Sequence, residues 1–152
     1  MTERNALINR KGTSELYIGS EDATEVKASD KLVNLGTIGA VGGTTGEVEN
    51  SWLDTGKEKY PDEAEYNEIS VEQNILTVED EKLYGYFQNG TLFPFAYYVC
   101  KKDGTVLLGR KGMGSLASYE VDGNTIGDTM LAKYSIRPVG TMESTTTKPG
   151  VE

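Results

Sequence analysis

Residues 92–111, LFPFAYYVCKKDGTVLLGRK, place a strongly apolar, aromatic run and a second apolar run on either side of Asp103-Gly104. That arrangement is a β-hairpin signal, because an Asp-Gly pair accepts the positive φ of a tight turn and strand-forming side chains flank it. The pattern recurs in SLASYEV (115–121), Asp122-Gly123-Asn124 and TMLAKYSIRPVG (129–140). Eighteen glycines against four prolines, with 37% apolar residues, fit many turns between short strands and argue against long helices. At 152 residues the expectation is one domain, 1–152, around a single core.

Upstream, SELYIGS (14–20) and TEVKA (24–28) read as a first hairpin through Ser20-Glu21-Asp22. KLVNLGTIGAVGG (31–43) is too rich in glycine for a helix and reads as a strand that breaks into a turn. EVENSWL (47–53) and EYNEISVEQN (65–74) alternate with period two, as half-buried strands do. Between them Asp54–Glu65 holds five acids, two lysines, Tyr60 and Pro61, a polar excursion longer than the usual connection of about four to six residues. It is either a solvated link or an arm reaching toward a neighbour.

One segment has helical character. In TVEDEKLYGYFQNG (77–90), Thr77 and Asp80 have capping-box spacing, acids fill the first turn and Asn89-Gly90 ends it. Leu83, Tyr84 and Phe87 form an apolar stripe expected to pack on a sheet, with Phe87 buried and Glu79 on the exposed side. The ends, about 1–12 and 143–152, have few apolar residues and are expected to be flexible arms.

Catalytic and ligand chemistry find little support. The chain has no histidine, which removes the usual general base and the usual zinc ligand. The single cysteine, Cys100, lies in a strand pattern as a small buried hydrophobe and has no intrachain partner for a disulfide. GTIGAVGGTTG (36–46) matches neither nucleotide-binding glycine motif, and no helix pattern follows it. DGNTIGD (122–128) begins like a calcium loop, but Ile126 and Lys133 occupy positions that must ligate. GRKGMG (109–114) could meet a phosphate and reads better as a bulged strand. No enzyme, metal or cofactor is expected. The net charge of −9 disfavours groove binding to nucleic acid, no segment has the roughly 20 apolar residues of a membrane span, and the N-terminus lacks a signal-peptide pattern, so a cytoplasmic site of synthesis is expected.

The order LGTIGAVGGTTGEVENSWLDTGKEKYPDEAEYNEISVEQN, then a helix closing in YFQNGTLFPFAYYV, then DGT, then AKYSIRPVG resembles the major tail (tail tube) proteins of long-tailed bacteriophages over about residues 31–140. One departure is that Pro61-Asp62-Glu63-Ala64-Glu65 lacks the glycines many relatives carry there. The resemblance implies two packed antiparallel sheets, a β-sandwich or barrel, flanked by one helix. It also implies a virion protein made in the host bacterium, whose copies form hexameric rings that stack into a hollow tube. Tape-measure and terminator proteins would be its other partners, and DNA would pass through the lumen without sequence-specific binding. The long loop, with Asp54, Lys57, Glu58, Lys59, Tyr60, Pro61, Asp62 and Glu63, would bridge neighbouring subunits, and an acidic lumen would repel phosphate. Two alternatives remain. One is the tube protein of a contractile injection or secretion system, which a sheath gene beside it would distinguish. The other is a monomeric β-sandwich binding module presenting Trp52, Tyr60, Tyr66, Tyr97 and Tyr98 as an aromatic platform.

Overall fold

The computed structural model describes residues 14–52, 56–101, 104–127 and 129–149, with 46–52 and 56–63 described as backbone. Strand β1 spans Ser14–Ile18, β2 Leu35–Ile38, β3 Gly43–Trp52, β4 Gly56–Tyr66, β5 Ile69–Gln73, β6 Phe93–Cys100, β7 Val106–Asp122 and β8 Leu131–Ser144. Helix α1 spans Thr77–Asn89, and a short 3-10 turn covers Ala28–Asp30. Six strands form one sheet in the order β1-β6-β7-β8-β5-β2, every pair antiparallel, curled into half a barrel. β3 and β4 form a separate two-stranded sheet. The fold is mainly β with one helix, as expected.

Alternation explains the core. On β5 Ile69, Val71 and Gln73 point inward, and on β8 Ala132, Tyr134 and Ile136 do the same. Leu16, Ile18, Phe93, Phe95, Leu116 and Tyr119 from the other strands complete this layer. α1 closes it with Leu83 and Tyr86, and the Tyr86 ring stacks on Phe93 at 5.2 Å between centroids. Helix packing therefore uses Leu83 as expected, but Tyr86 takes the place assigned to Phe87, which is 39% exposed. Tyr84 lies at the helix margin, 46% exposed, with its ring 6.1 Å from that of Tyr119. The helix direction over the sheet selects positions i and i+3 rather than i and i+4, and both pairs share a helix face.

The helix ends as its sequence indicates and begins differently. Gly90 takes φ 61°, a left-handed C-cap that glycine adopts without a Cβ clash, and its N–H reaches the Tyr86 carbonyl. At the start Leu76 holds the N-cap position with no side-chain hydrogen bond, and Thr77 is already helical. The N-terminal hairpin expected from 14–28 does not form. β1 pairs with β6, far away in sequence, and residues 24–27 are irregular. The segments 105–111 and 115–121 are one strand, β7, which passes through Gly112 and Gly114 with a bulge between Lys111 and Met113 in its pairing with β8. A Cβ on Gly114 would lie 3.0 Å from the Arg137 carbonyl oxygen and 3.1 Å from the Phe95 ring, so glycine lets the bent strands approach closely there.

A polar network is built into this core. Gln73 is fully buried; its Oε1 accepts from the Tyr134 hydroxyl at 2.7 Å, while its Nε2 donates to the Val33 carbonyl at 2.8 Å and to Glu79 Oε2 at 3.1 Å. Glu79 is therefore a partner in the helix–sheet interface and not an exposed acid. Gln73→Ala is expected to cost about 3 kcal/mol, since it opens a small void and orphans the buried Tyr134 hydroxyl. Urea unfolding checks this: a midpoint shift no larger than that of exposed Ser70→Ala would mean that the network contributes nothing.

Candidate assembly surfaces

The Asp54–Glu65 excursion is mostly strand. From Gly56 it runs as β4, paired with β3 from Trp52↔Gly56 to Gly43↔Tyr66, with a register shift between Thr45 and Glu47 where Pro61 falls opposite Glu47. Proline in a ladder is found at edges and bulges, and this one sits at a bulge. Lys57, Glu58, Lys59, Tyr60, Pro61, Asp62 and Glu63 are thus consecutive on one strand of a ribbon, while Leu53 and Asp54 lie outside the described residues. Eleven residues of strand extend ~35 Å. At the base Gly43 meets β4 so closely that a Cβ there would overlap the Glu65 carbonyl. Thr44, Thr45, Ala64 and Glu65 are exposed, and Tyr66 packs against the core. The side chains of Trp52 and Tyr60 are outside the description.

The aromatic platform does not form as a unit. Tyr97 and Tyr66 pack against the main core, whereas Tyr98 turns to the opposite sheet face, where it meets Tyr17 edge-on at 5.6 Å. Neighbours on one strand cannot share a face.

Among the described residues the larger sheet has β1 and β2 at its edges. Partial cover reaches β1 through the bridge Tyr17↔Lys31 and the Leu32 N–H to Leu16 carbonyl bond of 2.9 Å. On the face of β5 and β8 away from α1, Glu68 pairs with Arg137 at 3.1 Å and Asp122 with Lys133 at 3.1 Å, with Ser70, Glu72 and Ser135 between them. This face is polar and carries both signs. The EF-hand-like start at Asp122 is a hairpin turn: Asp122 accepts the Gly123 N–H at 2.7 Å, and Lys133 is its salt-bridge partner.

A buried acid lies on this same sheet face, at its β1 edge. Glu15, on β1, is 8% exposed and receives Lys31 Nζ at 2.8 Å, Lys148 Nζ at 2.6 Å and the Cys100 thiol at 3.0 Å. Lys148 belongs to residues 145–149, beyond β8, and this part of the expected C-terminal arm lies against the sheet. Its Thr145 N–H donates to the Gly109 carbonyl at 3.1 Å, and its Thr147 carbonyl accepts from Tyr98 at 3.1 Å. The expected N-terminal arm lies outside the described residues. Burial alone would raise the Glu15 carboxyl, but the hydrogen bonds from Lys148, Lys31 and Cys100 outweigh it and hold the group at about 2. Burial and the adjacent Glu15 push the Cys100 thiol up, which fits a packed side chain and not a nucleophile.

A folded-state value below the ordinary one means that the carboxylate is favoured in the native state. Its contribution is complete above about pH 4.5 and is lost as pH falls toward 2. Glu15→Gln should therefore lower stability at pH 7 by about 2 kcal/mol, and the gap from the parent chain should shrink between pH 4.5 and 2. Urea midpoints across that range test it. A gap independent of pH would assign the loss to packing instead of charge.

Among the described residues no group of three or more histidine, cysteine, aspartate or glutamate side chains could hold a metal ion. The described residues thus combine a curled six-stranded sheet, a separate two-stranded ribbon and a C-terminal segment docked on the sheet face.

Comparison with solved structures gives the class of fold. The chain has the fold seen in the tubes of tails and injection machines. It superposes on a chain of the sheath–tube complex of the extracellular contractile injection system PVC with TM-score 0.65 at 10% identity, covering 92% of this chain and 93% of that one. A chain from the six-fold symmetrised baseplate of the anti-feeding prophage gives 0.63 at 4% identity, covering 95% and 97%. The SPP1 tail tube gives 0.62 at 13% identity, covering 95% and 81%. No family model matches the sequence, and no curated protein matches it.

Proposed function

We propose that this chain is a tube subunit: copies close into rings, rings stack into a hollow tube, and the tube conducts material through a tail. The observation that carries the reading is the likeness in fold, over nearly the whole chain, to proteins from a tail tube and from injection machines. Two features of the molecule support it. Edges β1 and β2 are unlike each other, so joining them would be head-to-tail, the kind of contact that closes a ring when the rotation per subunit allows. The β3–β4 ribbon has the length to reach a neighbouring ring.

Within this class we read the protein as the tail tube of a long-tailed phage, with six subunits per ring, a virion location, terminator and tape-measure partners, and DNA as cargo. The resemblance across residues 31–140 supports the phage reading, and the likeness to a chain of a six-fold assembly supports the ring number. The inter-subunit roles of Lys57 to Glu63 belong to the same proposal. A lumen lined by the β5–β8 face would present paired charges of both signs, so repulsion of DNA would rest on the net charge of −9 more than on that face alone.

Sedimentation at rising concentration in moderate salt tests association. Species heavier than the 16.6 kDa monomer are expected to grow with concentration. A monomer at every concentration, together with saturable sugar binding, would favour the binding-module reading.

A further inference from the structure

Residues 145–149 are held to the sheet in an unusual way. One backbone hydrogen bond, Thr145 to Gly109, starts the segment, and the Tyr98 hydroxyl bonds the Thr147 carbonyl. Beyond that its anchor is the Lys148–Glu15 ion pair at 2.6 Å, with the lysine side chain 29% and the glutamate side chain 10% exposed. On its other side a groove of about 620 Å³ opens, lined by Val26, Pro94, Tyr98, Met113, Thr147 and Pro149 among others. The segment is thus packed on one side and fastened by polar contacts. Segments with few apolar contacts open locally at a small fraction of the global unfolding free energy.

Glu15 also holds Lys31, which follows the 3-10 turn and bridges to β1 through Tyr17. One carboxylate on an edge strand therefore ties down the cover on that strand's edge and the cover on its face. Beneath the face cover lie Tyr17, Ala96, Tyr98 and Cys100, a small cluster separate from the main core.

We propose that Glu15 acts as a clasp, and that breaking its bond to Lys148 releases residues 145–149 as one strap and uncovers the β1–β6 face carrying Tyr17, Tyr98 and Cys100. This is a property of the single subunit and stands or falls apart from the tube reading. Under that reading the strap keeps an apolar face closed until a second copy is at hand.

Cys100 is the single cysteine of the chain, 5% exposed, so its rate of labelling by a thiol reagent reports opening of the strap. Lys148→Ala should raise that rate at least ten-fold in the full chain under native conditions, with a urea midpoint lowered less than in Glu15→Gln, where Lys31 also loses its partner. The direction is diagnostic. Lys148 lowers the Cys100 pKa, so deleting it makes the thiol intrinsically less reactive, and faster labelling then has to come from access. Lys148→Arg keeps the ion pair and should return the rate to within a few-fold of the parent. An unchanged rate in Lys148→Ala overturns the proposal. So does acceleration matched by an equal fall in global stability, or an arginine variant that labels as fast as the alanine one.

Discussion

Replacing Thr45–Ala64 by a two-residue turn that joins Thr44 to Glu65 is expected to abolish tube growth while leaving the subunit folded. Among the described residues, the excised stretch is strand paired within itself, in a sheet separate from the six-stranded one. Val41 and Tyr66, the flanking residues that pack on the core, are retained. Thermal unfolding of the shortened chain should therefore stay within a few degrees of the parent, because the six-stranded sheet keeps all its strands and the core its described members. Under the proposed function assembly should fail, because the ribbon has the length to reach a neighbouring ring. Normal tubes from the shortened chain would make the ribbon a decoration, and an unfolded subunit would place it in the core.

The second large effect is on stability, and it separates two positions on one helix. Leu83 is 1% exposed at the junction of α1 with the sheet, so Leu83→Ala should cost about 2–5 kcal/mol through lost burial and a residual cavity. Phe87 is 39% exposed, so Phe87→Ala should cost about 1 kcal/mol, mostly through its tilted ring contact with Tyr84 at 6.3 Å. Chemical denaturation of both variants decides the matter. Equal losses would show that the helix is rotated from the orientation described.

That pair of residues also shows where the sequence stops being informative. Leu83 with Phe87 and Leu83 with Tyr86 are equally good helical stripes, and only the path of α1 over Phe93 selects between them. The helix itself was legible almost to the residue, because Gly90 and the acidic first turn are local signals. So was the β6–β7 hairpin, in whose connection Gly104 takes a positive φ, and so was the period-two face of β5.

Of the ribbon, β3 was legible in part, since EVENSWL read as strand, but β4 was not, for a physical reason. Alternation in sequence records burial of one strand face, and the ribbon's base, Thr44, Thr45, Ala64 and Glu65, is exposed, so GKEKYPDEAEY carries charge and turn-like chemistry in place of alternation. The pairing of β1 with β6 was equally hidden, since nothing local couples Ser14 to Val99. For the Glu15 clasp a signal did exist: an acid in SELYI two residues from Tyr17, on the same strand face, is an acid placed where an apolar side chain would be expected. Its lysines come from positions 31 and 148, and their convergence is a product of the fold.

The measurement that bears most directly on the central claim is negative-stain electron microscopy of the concentrated, purified chain. Hollow tubes, or rings seen end-on with a central lumen, are the predicted result. A field of particles of about 16.6 kDa at every concentration and salt, with no rings, would contradict it.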